Sequence, residues 1–154
     1  MNMKNTICKA KRFSLLTVVF VTLLALLPSG VANAESPGDI LVIANNNVGV
    51  NSVSLQELRT MFLKQRQNWK SGGKVFPLNA KPGTPIRKAF QAKVLGMDST
   101  SEQAYWQDQG IRKGISKPSA FSNPLKAVFS VKGSISYCYR KQYKPGLAKV
   151  LLVL

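Results

Sequence analysis

The chain has no histidine, and only six acidic residues stand against 22 basic ones in 154, a formal charge of +16. The missing imidazole excludes His-based acid–base chemistry, Ser–His triads and His-ligated metals. Cysteine is nearly as scarce, with Cys8 close to the start and Cys138 close to the end. No cluster of Asp, Glu and Cys has the ligand spacing of a zinc or calcium site. Internal repeats, low-complexity tracts and any linker marking a second globular domain are also missing. What is present is an apolar share of 45%, enough for a packed domain rather than a disordered chain.

The first 34 residues read as a cleaved leader. Lys4, Lys9, Lys11 and Arg12 precede an apolar run from Phe13 to Leu27, which breaks at Pro28-Ser29-Gly30 and is followed by Ala32-Asn33-Ala34. That is a basic n-region, an apolar h-region and a small-x-small cleavage signal. The run falls short of the ~20 residues a membrane span needs, so no transmembrane anchor is expected after cleavage. The expected product is a periplasmic or secreted domain over 35–154. It keeps 18 basic against six acidic residues, a net charge of +12. Cys138 is its sole cysteine, so no internal disulfide is available and the core must hold the fold. Roughly two thirds of the unfolded surface is buried at this size.

Ile40–Ala44 (ILVIA) has the continuous branched pattern of a strand covered on both faces. Ser54 and Glu57 form a capping box ahead of Leu55, Leu58 and Phe62 at helical spacing, a helix ending near Leu63. Trp69 and Gly72-Gly73 mark a loop before a second strand at Lys74–Leu78. Thr84-Pro85 opens a helix with Ile86, Phe90, Val94 and Met97 inward and Gly96 near its end. Ser99 to Glu102 reads as a second capping box, on a helix carrying Tyr105 and Trp106. Asn123-Pro124 opens a further helix with Leu125, Val128 and Phe129 inward, closed by Gly133. Strands are expected at Ser134–Arg140, which alternates in a period of two, and at Val150–Leu154. Strands interleaved with helices predict an α/β layer fold with a mostly parallel sheet flanked by helices.

The turn Lys81-Pro82-Gly83-Thr84 carries the binding expectation. A helix N-terminus offers free amides and about half a positive charge, and a glycine lets an anion approach the backbone closely. Gly83 and Thr84 would supply amide and hydroxyl contacts, with Lys81 and Arg87 supplying charge. Helix capping alone explains the same residues equally well. Catalysis has little to work with. Asp98 and Glu102 lie four apart at a helix start, where acids serve the helix dipole, and Cys138 has no histidine to activate it.

In order and spacing these residues resemble the short phosphate-binding-like members of the type II periplasmic-binding-protein superfamily, which serve phosphate ABC importers. Leu55-Gln56-Glu57-Leu58-Arg59-Thr60-Met61-Phe62-Leu63 is similar to that family's L-x-E-L-x-x-I-F-L-G helix, with Trp69 at the place of a following tryptophan. Pro82-Gly83-Thr84 and Phe90 resemble its Gly-Thr loop and helix, Tyr105-Trp106 its aromatic pair, and Gly133-Ser134-Ile135-Ser136-Tyr137 its G-A-I-G-Y strand. The chain departs from the family's R-S-x-G-S-G-T loop, with Asn79 at the arginine's place and Lys81-Pro82 where polar donors stand. The resemblance implies a single lobe of a two-lobed fold that binds phosphate or another small oxyanion without cofactor or catalysis, with an ABC permease as partner. It sets no oligomeric state.

A competing expectation takes the +12 charge as the function, a basic envelope protein held to anionic polymers or a membrane surface. Its lysines and arginines are scattered rather than blocked, as on a solvated face. No motif for specific nucleic-acid readout is present.

Overall fold

The computed structural model describes residues 38–154; the expected leader over 1–34 lies outside the described residues. The central strand is β1 (Ile40–Ala44), buried along its whole length. Its period-two side chains feed two cores. Ile40, Val42 and Ala44 join one with Phe62 and Phe90, while Leu41 and Ile43 join the other with Leu125 and Val128.

The chain then runs through α1 (Leu55–Phe62), β2 (Phe76–Pro77), β3 (Asn79–Ala80), α2 (Pro85–Phe90), a π-turn (Gln91–Leu95) and α3 (Ser99–Lys113). It closes with β4 (Ala120–Phe121), α4 (Pro124–Ser130), β5 (Ser134–Tyr139), a 3-10 turn (Arg140–Gln142) and β6 (Lys149–Val153). The architecture is α/β, but the sheet is mixed, correcting the expected mostly parallel one. Its order is β2-β5-β1-β6. β1 runs antiparallel to both neighbours, and β2 is parallel to β5. The physical reason is that a helical crossover imposes parallel pairing only on the two strands it joins. β1 instead pairs with strands from the far end of the chain. A separate two-stranded parallel pair joins β3 and β4.

The capping box at α1 is complete, with Ser54 and Glu57 each accepting from the other's backbone amide. β2 is shorter than the predicted Lys74–Leu78 because Pro77, which has no amide to donate, occupies this edge position. At α3 the cap is Asp98, whose carboxylate accepts from the Ser101 amide at 2.7 Å. The predicted Ser99–Glu102 box is therefore replaced by a cap one residue earlier, and Glu102 is free to turn inward. On α4, Leu125 and Val128 face the core as expected, whereas Phe129 turns out and is 57% exposed, with Ala127 buried instead.

Among the described residues no helix is long and apolar enough to cross a membrane.

Candidate functional site: a buried arginine beside an open cavity

A cavity of about 600 Å³ lies between the turn that follows β3 and the inner face of α3. Asn79, Gly83, Arg87, Gln91, Glu102 and Trp106 contribute to its wall. The helical period brings them together, since Arg87 and Gln91 lie four apart, as do Glu102 and Trp106, and each pair shares one face.

Arg87 is at the centre and is only 6% exposed. Its Nη2 pairs with the Glu102 carboxylate, while Nη1 donates to Asn79 Oδ1 and, at 3.2 Å, to the Tyr137 hydroxyl. Glu102 also accepts from Gln91 Nε2 and from the Trp106 indole at 3.2 Å. The Tyr137 ring is fixed from behind by Phe90, stacked at 3.8 Å between centroids. Its hydroxyl accepts the Ala80 amide at 3.2 Å and faces Asn79 Oδ1 at 3.4 Å. Burial raises the Tyr137 pKa against the opposing pull of Arg87, so the phenol is protonated at neutral pH. Among the described residues no buried side-chain polar atom lacks a partner, the condition under which a buried polar network orders a core.

Of the four residues expected to hold an anion, the fold gathers two on the cavity wall. Arg87 and Gly83 both line it. Gly83 has φ +78 with open space where a Cβ would stand, a backbone state that glycine adopts without strain. Lys81 is exposed on the same turn. Thr84 departs from both readings of it. It occupies the N-cap of α2 but makes no side-chain cap. Its hydroxyl and amide both donate to the Lys81 carbonyl, at 2.8 and 3.4 Å. Those two donors are therefore spent on closing the turn. Arg87, expected to supply charge, is a buried member of an ion pair with Glu102.

Sequence reasoning missed Gln91, Glu102 and Trp106. The available signal was four polar or amphipathic residues at i, i+4 spacing beside apolar stripes. A buried acid four residues from a tryptophan was masked by the resemblance of Ser99–Glu102 to a cap. Trp69 is buried, bonded through its amide to Gly73 O and through its indole to Gly133 O, both at 2.9 Å. Cys138 is buried in the sheet, and loss of solvent pushes its thiol up to about 11.

Every side-chain carboxylate among the described residues is engaged. Asp39 pairs with Arg140, Glu57 with Arg66 and Lys70, Glu102 with Arg87, and Asp108 with Arg112, while Asp98 caps α3. The N–H donors of Arg87, Gln91 and Trp106 converge on Glu102 at the cavity wall.

No protein-family model matches the sequence, and no curated protein is similar to it at the sequence level. Solved structures are similar in fold. A Clostridium perfringens protein assigned as a phosphate ABC transporter substrate-binding protein, solved with bound phosphate, superposes with a TM-score of 0.55 at 18% identity over 73% of this chain and 43% of its own. An ABC-type phosphate transport receptor from Vibrio cholerae gives 0.55 at 14% identity, covering 73% of this chain and 44% of that one. PstS from Borrelia burgdorferi gives 0.55 at 15%, covering 73% and 46%. The chain has the fold of part of these phosphate-transport binding proteins and spans less than half the length of each.

Proposed function

We propose that the protein is an exported, periplasmic, non-catalytic solute-binding protein that takes phosphate or a similar small oxyanion in the cavity between the 81–84 turn and α3, in the service of an ABC importer. The observation that carries this reading is a buried guanidinium on the wall of an open cavity, in a fold shared with phosphate-transport receptors. The arginine absent at position 79 has a functional substitute, since the Arg87 guanidinium lies against Asn79. Gly83 supplies a backbone amide at the rim, Lys81 adds charge from the surface, and Thr84 holds the turn by its bonds to the Lys81 carbonyl. The leader over 1–34 directs export and is removed after Ala34.

Calorimetric titration with phosphate, sulfate and a polyanion tests the proposal. A small-anion site saturates at one ligand per chain and depends weakly on salt. A basic surface that serves only to hold polymers gives no saturable phosphate heat, and its polyanion binding falls steeply with ionic strength.

A further inference from the structure

Three N–H donors from separate positions on the helical layer converge on one carboxylate inside the protein. Arg87 and the Trp106 indole donate to Glu102 Oε1, and the Gln91 amide donates to Oε2. All four side chains are buried and all four line the cavity. A guanidinium, an indole N–H and a primary amide spread over two oxygens of one anion form the donor set of an oxyanion receptor. The helix start does not require Glu102 there, because Asp98 caps α3.

We infer that Glu102 is the resident anion of this receptor, and that an external oxyanion gains Arg87, Gln91 and Trp106 by displacing it. The inference rests on the reading of the cavity as an oxyanion site and gives that site a specificity rule. The ligand must outcompete a tethered carboxylate, whose effective concentration is set by its own backbone. An anion with several acceptor oxygens, such as phosphate, can replace all three contacts, whereas chloride cannot. Wild-type affinity is the intrinsic affinity multiplied by the fraction of molecules in which Glu102 is out of the cage, so a mostly caged Glu102 lowers it.

The test compares the wild type with Glu102→Ala and Glu102→Gln by calorimetry and thermal unfolding in phosphate, acetate and equimolar chloride. Phosphate should bind Glu102→Ala at least about tenfold more tightly than the wild type, because the competitor is gone. The unfolding temperature of that variant should rise in phosphate or acetate and stay unchanged in chloride. Should Glu102→Ala fail to fold, Glu102→Gln keeps the side-chain volume without the charge, and tighter phosphate binding is expected there too. Phosphate affinity equal to wild type in the folded variants overturns the inference while leaving the proposed function standing. Binding by the variants alone upholds the inference and overturns phosphate as the wild-type ligand. No phosphate binding by any of the three overturns both.

Discussion

Arg87 on α2 and Glu102 on α3 form an ion pair whose side chains are only 7% and 11% exposed. It joins the turn side of the cavity to its helical side. A buried pair of this kind adds little net stability against a well-packed apolar substitute, but breaking it leaves a stranded charge. Arg87→Leu should therefore destabilise the protein by about 3–5 kcal/mol, read from urea unfolding. Arg87→Leu combined with Glu102→Leu should cost less than the sum of the two single variants. Additive single costs would show that the charges do not depend on each other.

Glu57 closes the capping box of α1 and lies against Lys70 and Arg66. The Lys70 ammonium, followed by the Ser54 amide, lowers its pKa from 4.5 to about 2. A carboxylate held lower in the folded state than in the unfolded one stabilises above its ordinary pKa, and that contribution is lost as pH falls through the folded value. Its side chain is 21% exposed, so solvent screening limits the effect, and Glu57→Gln should cost about 1 kcal/mol at pH 7. The gap between wild type and Glu57→Gln should narrow from pH 4.5 downward and close near pH 2. A gap that stays constant across that range would remove the charge from the explanation.

Cys138 lies in β5, 2% exposed, with its thiol pushed up to about 11 by burial. The thiolate is the reactive form. A disulfide-exchange reagent at pH 8 should leave the folded protein untouched and label it stoichiometrically in denaturant. Rapid labelling of the native state would mean that the strand opens far more readily than its packing implies.

Gly133 leads into β5 with φ +74, and a Cβ there would lie 2.6 Å from the Lys74 carbonyl oxygen. The obstacle is backbone, on the segment leading into β2, and cannot swing aside. Gly133→Ala should cost roughly 2–3 kcal/mol, combining left-handed strain with the displaced strand. A thermal melt within a degree of wild type would contradict that geometry.

Local chemistry was legible in the chain because it depends on neighbours in sequence. The ILVIA strand, the Ser54–Glu57 box, Pro85 at a helix start, the left-handed Gly96 and the Asn123 cap all carry their signals within a few residues. Sheet direction was not legible, since β1 pairs with residues more than ninety positions away. The polar cage was partly visible. Arg87 stood out by charge, but Glu102 sat three residues after Ser99, where a capping role explains it equally well. The choice between the two was made by Asp98, one position earlier, whose carboxylate reaches the Ser101 amide first. Thr84 was misread for the opposite reason, because its hydroxyl found the Lys81 carbonyl rather than a helix amide.

The two tryptophans provide the most direct test of where an anion goes. The Trp106 indole donates into the cage at Glu102, whereas the Trp69 indole donates to Gly133 O away from the cavity lining. In a nitrogen-15 NMR titration with phosphate, the Trp106 indole and Gly83 amide resonances should move together along one saturable curve while the Trp69 indole stays still. Unmoved Trp106 and Gly83 signals at saturating phosphate, or equal drift of both indoles, would contradict an oxyanion site at Arg87.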